Sequence, residues 1–336
     1  MGKKIVILAL GLVLVAGVAG ADNNKTGTAG AQELRIPIGA RSTAMGGATV
    51  SDVTGIEALF WNPAGAVRTQ GTEAFMSYRG YIADMTVSYF AVNSPMAFGT
   101  IGVSAKILSL GDIIVTTETD WQGTGEVYSV NVPVLGLTYS YALTDRVSFG
   151  ATGMYVNEQI LQTKAQGIAF DFGFQYIPGW RTLRLGLVMK NYGPRMTYSG
   201  PDLEFNTHVP GDDPQGANRS LALTSANFEL PSSFQIGGTY DLALGEGGTG
   251  VIGVVFQSNA FSDDEWHFGA EFGLADRLFV RGGYILSDQE GYIYGPSIGI
   301  GAKFNLGSVT GSLDYSHTFV DKYFDDVPEV SLKFGL

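Results

Sequence analysis

From Thr72 to the end of the chain, apolar and polar residues alternate with a period of two. Ile168, Phe170, Phe172, Phe174 and Tyr176 alternate with Gly167, Ala169, Asp171, Gly173 and Gln175. Trp266, Phe268, Ala270, Phe272 and Leu274 alternate with His267, Gly269, Glu271 and Gly273. Successive side chains of a strand point to opposite faces, so each run has one apolar face and one polar or glycyl face. The runs predict fourteen strands, near residues 72–79, 84–93, 98–109, 132–143, 147–157, 165–177, 182–191, 233–243, 250–257, 266–274, 278–286, 292–304, 309–318 and 329–336.

A soluble sandwich alternates in the same way, and a propeller would add a repeat of four strands, which the chain lacks. The connections separate these readings. With the first strand rising from the periplasm, the odd connections after the first are 110–131, 158–164, 192–232, 258–265, 287–291 and 319–328. The even ones include 94–97, 144–146, 178–181, 275–276 and 307–308. Long and short alternate, as do the external loops and periplasmic turns of outer-membrane barrels. The expected fold is therefore all-β: a transmembrane antiparallel β-barrel of about 14 strands over residues 72–336.

Residues 1–21 carry the pattern of a cleaved signal peptide: Lys3 and Lys4, an apolar stretch over 5–18, and Ala19-Gly20-Ala21 before Asp22. The alternative is a membrane anchor, but the cleavage triplet and the polar residues 22–30 favour removal. The expected location is the bacterial outer membrane, with the N-terminus periplasmic and outer-membrane lipids around the barrel.

Composition narrows the function. Gly accounts for 47 of 336 residues, about twice ordinary usage of ~7%. Aromatic residues at 12% and charged residues at only 15% argue against disorder. A net charge of −12 argues against nucleic acid. The chain has no Cys, and His208, His267 and His317 offer little for metal or base chemistry. Gly295-Pro296-Ser297-Ile298-Gly299 fits a hydrolase pattern but lies within an alternating run, without a following helix. No enzyme activity, metal or cofactor is expected.

Acidic residues gather in the odd connections, among them Asp112, Glu118, Asp120, Asp212, Asp213, Asp263, Asp264, Asp325 and Asp326. The face expected to line the lumen is nearly balanced, with Lys106, Arg184, Lys190, Arg281, Lys303 and Lys333 against Asp171, Asp241, Glu271 and Asp314. Charges in a crowded interior should pair, because an unpaired buried charge is costly. The external connections also carry Ile113, Ile114, Trp121, Met196, Tyr198, Leu203 and Phe205, which suit cargo binding or capture of an apolar ligand.

Residues 22–71 lack the alternation. They read Gly39-Ala40-Arg41-Ser42-Thr43-Ala44-Met45-Gly46-Gly47-Ala48, then Trp61-Asn62-Pro63-Ala64-Gly65. Gly46-Gly47 allows positive φ and close backbone approach. Asn62-Pro63 favours a turn, and Trp61 brings a large apolar body with one N–H donor, suited to wedging a plug against the wall. One or two short helices are expected over 49–59. A lumen plug is the expected role, against the alternative of a periplasmic extension.

The two motifs at this spacing resemble the PorV/PorQ family, within the superfamily of FadL-type channels. Ala66 stands where that family usually has Leu, and the chain closes on Leu336 where barrel assembly signals usually end in Phe. The resemblance implies a hatch inside a fourteen-stranded barrel. It also implies a non-enzymatic component of type IX-like protein secretion that binds exported cargo or partner proteins. The wider FadL resemblance implies instead uptake of hydrophobic small molecules such as fatty acids.

Overall fold

The computed structural model describes residues 25–207, 219–245, 247–289, 291–307, 309–321 and 323–336. The expected signal peptide, His208, Asp212 and Asp213 lie outside the described residues. The first strands are β1 (Glu73–Gly80), β2 (Thr86–Met96), β3 (Gly99–Ile114), β4 (Val127–Ala142), β5 (Val147–Ile160), β6 (Thr163–Tyr176) and β7 (Arg184–Tyr192). A separate hairpin follows, β8 (Glu204–Thr207) with β9 (Arg219–Ala222). The chain ends with β10 (Ser233–Ala243), β11 (Gly248–Asn259), β12 (Glu265–Leu274), β13 (Leu278–Ser287), β14 (Tyr294–Leu306), β15 (Val309–Val320) and β16 (Val327–Gly335). Apart from the hairpin these close into one antiparallel barrel of fourteen strands, with β7 beside β10 and β16 beside β1.

The barrel is inside-out. On β4, Leu135 and Leu137 are 53% and 61% exposed, while the alternating Thr138 and Ser140 are buried. On β16 and β14, exposed Val330, Ile298 and Ile300 alternate with buried Glu329, Ser331 and Ser297. An apolar band this wide around a polar interior suits hydrocarbon, and a soluble surface would not carry it.

The longest connections gather at one end, although 177–183 at the other end is itself seven residues long, and one expected long connection is short. At one end lie 115–126, 193–232, 288–293 and 321–326; at the other, 97–98, 143–146, 275–277 and 307–308. The expected connection 158–164 shrinks to residues 161–162 because β5 and β6 pair out to Ile160 and Thr163. Ile113 and Ile114 likewise belong to β3 rather than to a loop. Pairing resumes beyond a bulge between Ser109 and Asp112 and sets them opposite Tyr128 and Val127.

Inside the barrel, short elements follow one another: 3-10 turns Gln32–Arg35 and Gly55–Glu57, helices Ala40–Ala44 and Ala58–Trp61, and a 3-10 helix Pro63–Arg68. Of the short helices expected over 49–59, the 3-10 turn Gly55–Glu57 and the helix Ala58–Trp61 fill the second half, whereas residues 45–52 form consecutive turns. Gly46 and Gly47, at φ +62° and +81°, turn the chain there. The segment begins among the long connections, where Gly27 N–H donates to Phe261 and Ala29 bridges Glu229. It leaves at the opposite end, where Leu336 N–H donates to Thr72. The first described residues thus sit with the long connections.

Glycines make this arrangement possible. A Cβ on Gly102 would stand 2.5 Å from Leu59, one on Gly186 would stand 2.5 Å from the Val50 carbonyl, and one on Gly299 would stand 2.5 Å from the Ala44 methyl. Gly150, Gly173, Gly253, Gly269 and Gly283 press still closer on Pro63, Asn62, Ala48, Met45 and Gly46. These positions form a belt around the wall where backbone lies on backbone. The excess of glycine therefore has a packing cause.

Candidate functional site

The motif residues of the inner segment are held by backbone-directed hydrogen bonds. Asn62 is fully buried; its Nδ2 donates to the Val50 carbonyl at 2.7 Å and faces the wall carbonyls of Phe174 and Leu187 at 3.2 and 3.4 Å. Its Oδ1 accepts from Ala64 N–H, capping the 3-10 helix that starts at Pro63. Gly65 packs against the Val53 carbonyl with no room for a side chain. Trp61 Nε1 donates to the Ile38 carbonyl at 2.7 Å, so it ties the segment to itself rather than to the wall. Gly39, at φ +93°, donates its N–H to Glu329 Oε1 at 2.6 Å. Ala44, Met45 and Ala48 are completely buried.

Arg41 joins segment and wall electrostatically. Its Nε donates to Glu271 Oε2 at 3.0 Å and its Nη2 to Asp52 Oδ2 at 2.9 Å. Arg281 extends the chain of charges, donating to the same Glu271 oxygen and to Asp314, each at 2.6 Å. Lys333 pairs with Glu57 at 3.6 Å, Arg184 pairs with Asp241, and Lys303 lies 4.6 Å from the Phe279 ring centre. Burial pushes the Asp52 carboxyl above its ordinary value, against the pull of Arg41. These groups line a cavity of about 470 Å³ at the short-turn end.

The remaining lumen charges lie nearer the other end. Lys106 is buried and donates Nζ to the carbonyls of Glu33 and Ile36, both at 2.6 Å. Lys190 Nζ stands 3.7 Å from the Phe60 ring centre, a cation–π contact. Asp171 accepts the N–H of Asn191, whose φ of +57° marks the register shift between β6 and β7. Sequence reasoning named none of Asp52, Glu57, Arg79 or Glu329. Glu57, Arg79 and Glu329 have partners that only the closed barrel brings close, and Asp52 meets Arg41 only through the turns of the inner segment.

Above the inner segment, at the long-connection end, lies a second cavity of about 430 Å³. Phe60, Trp61, Tyr81, Tyr292 and Tyr294 give it aromatic walls, and Gln235, Gln257, Glu265 and His267 give it polar ones. Of these, only Trp61 stood out in the sequence as a site residue. The others are scattered over the inner segment (Phe60), two connections (Tyr81 and Tyr292) and strands β10, β11, β12 and β14, with no local signal in common.

Two expected external residues are drawn inward. Met196 is 1% exposed and packs with Leu34, Val134 and Val156, because the 193–232 connection folds back over the wall. Tyr198 follows it, stacking on Phe228 with its hydroxyl donating to Glu158 Oε2. Trp121 is 73% exposed in the 115–126 connection, Phe205 is exposed on β8, and Leu203 accepts the N–H of Leu223 beside it.

No protein-family model matches the chain, and no curated protein matches it by sequence. Solved structures do match it in shape. The CymD monoaromatic hydrocarbon channel aligns with a TM-score of 0.54 at 14% identity, covering 89% of this chain and 97% of that one. The Pseudomonas putida toluene transporter TodX aligns at 0.54 and 14%, covering 88% and 96%. A Pseudomonas aeruginosa FadL homologue aligns at 0.51 and 13%, covering 88% and 96%. This is the FadL-like barrel fold. At these identities the likeness concerns architecture, and the PorV/PorQ resemblance gains nothing from it.

Proposed function

We propose that this chain is an outer-membrane channel for uptake of small molecules with an apolar body. Solutes enter among the long connections, lodge in the 430 Å³ chamber and pass the inner segment, which acts as a plug. The observation that carries this reading is the chamber walled by Phe60, Trp61, Tyr81, Tyr292 and Tyr294, set above a lumen that residues 39–66 close against the whole circumference of the wall. Gly39 bonds Glu329 on β16, Ala66 accepts from Asn93 on β2, Ser51 bonds Thr239 on β10, and Gly46 abuts Gly283 on β13. A lumen filled in this way suits a solute held singly in a chamber, and it does not suit a wide water-filled pore. The three structural neighbours described as hydrocarbon or FadL-type proteins support the same reading by analogy of fold.

The PorV/PorQ resemblance supports a second reading, in which the barrel receives exported cargo or a secretion partner at its long connections. Exposed Trp121 and Phe205 are the surface it would use. The motif residues themselves do not favour it. Arg41, Gly46, Gly47 and Asn62 are all occupied in seating the segment, which either role requires.

Uptake by intact bacteria with a lipopolysaccharide outer membrane separates the two. Cells producing the chain should accumulate a labelled aromatic or fatty acid several-fold faster than cells without it. Equal rates would overturn the channel reading. Retention of exported cargo in the periplasm after deletion in the native host would favour the secretion reading.

A further inference from the structure

The chamber above the plug is more polar than a hydrocarbon needs. His267 Nδ1 donates to the Gly46 carbonyl at 2.6 Å, and its Nε2, buried, has no hydrogen-bond partner among the described residues. The nearest carboxylate oxygen, Glu265 Oε2, stands 3.4 Å away. Gln235 donates its amide to Gln257 Oε1 at 2.6 Å, and both side chains line the cavity. Tyr292 packs edge-on to Tyr294, whose hydroxyl is hydrogen-bonded to that of Tyr81. All of these line the same cavity, and Phe60 and Trp61, edge-to-face at 5.3 Å, form its floor.

We infer that this chamber selects hydroxylated aromatic molecules over bare hydrocarbons. The inference rests on the channel reading and names its substrate class. The aromatic floor and the paired tyrosines offer a ring both faces and edges to contact. The polar groups offer both donors and acceptors. A carboxylate can only accept and an ammonium can only donate, whereas a hydroxyl does both and can serve the His267 ring in either protonation state. A bare ring would leave the same groups desolvated and unpaired, which costs more than its burial returns. Sites built to hydrogen-bond a hydroxyl discriminate strongly against the analogue that lacks it. The volume, about 430 Å³, lies at the small end of the range for ligand pockets and suits a molecule of one or two rings.

The test is binding of catechol and of toluene to the full chain in lipid nanodiscs, by calorimetry, beside the uptake assay in cells. Catechol should bind at least tenfold more tightly than toluene. Tyr292→Phe and Gln235→Leu should each lower that ratio at least threefold without weakening toluene. Tyr292→Phe removes only the hydroxyl and Gln235→Leu exchanges the amide for an alkyl group of similar length, and the heat-dependent gel mobility of the barrel reports that they fold. Toluene binding as tightly as catechol, or a ratio that neither variant moves, would overturn the inference. In that case uptake of apolar compounds by cells would leave the channel reading standing. Absence of uptake for both solutes would remove the channel reading itself, whatever the binding ratio.

Discussion

Glu329 on β16 and Arg79 on β1 meet across the seam where the barrel closes, with Oε2 3.0 Å from Nη1 and side chains 0% and 2% exposed. The other carboxylate oxygen accepts the Gly39 N–H and the Ser77 hydroxyl, both at 2.6 Å. One side chain thus joins the first strand, the last strand and the plug. Glu329→Ala leaves the Arg79 guanidinium buried without a counter-charge, a change that costs about 3–5 kcal/mol. The thermal midpoint of the purified barrel should fall by many degrees, with Glu329→Gln losing less because it keeps one acceptor. An unchanged midpoint in the alanine variant would show that the seam does not depend on this pair.

Gly173 on β6 makes the glycine belt testable. A methyl there would meet Asn62 Oδ1 and lie 2.9 Å from Pro63 Cδ. Gly173→Ala should cost about 1–3 kcal/mol through overpacking and render the plug sensitive to added protease. Gly153 on β5 provides the control, because a methyl there meets Phe170 carbons at an ordinary 3.7 Å. Gly153→Ala should stay within about 0.5 kcal/mol of the parent. Equal behaviour of the two variants would mean that the plug yields locally and the belt imposes no constraint.

The strands were legible in the sequence because their period is local: each run announces its two faces within a few residues. The plug was legible for a related reason, since Gly46, Gly47, Asn62 and Pro63 carry backbone requirements of their own. What stayed hidden depends on closure. Arg79 and Glu329 stand 250 positions apart, and only the β1–β16 register sets them opposite each other. The aromatic and amide lining of the outer chamber is spread over several strands in the same way. Met196 misled because an apolar residue in a long connection looks alike whether the connection extends outward or folds back. The short helices expected over 49–59 start only at Gly55, because the turns that Gly46 and Gly47 initiate run on to residue 52.

Glu33 should make stability fall with pH. Burial, and then the Glu158 carboxylate beside it, push the Glu33 carboxyl up to about 7. Its folded value lies above its unfolded value, so the folded state holds a proton that the unfolded chain releases. This contribution is present in full below about pH 4.5 and is lost as pH rises through about 7, roughly 3 kcal/mol in all. Unfolding in urea across this window should show the decline, and Glu33→Gln should flatten it. A profile that slopes equally in both proteins would place the proton elsewhere.

Asn62→Asp is a near-isosteric change with a signed consequence. It replaces the Nδ2 donor with an oxygen 2.7 Å from the Val50 carbonyl and close to those of Phe174 and Leu187. An ionised carboxylate there would face three carbonyl oxygens in a fully buried site, so its charged form is disfavoured and its pKa rises. As a neutral acid it can still donate to Val50. The variant should therefore approach the parent at low pH and lose ground as pH rises, reaching a deficit of about 3 kcal/mol or more near neutrality. The difference between variant and parent is the quantity to plot, since it removes the slope that Glu33 gives to both. Asn62→Ala, which cannot ionise, should show a constant deficit instead. A pH-independent deficit in the aspartate variant would mean that water reaches this corner of the plug and that the lumen is less tightly closed there than the packing implies.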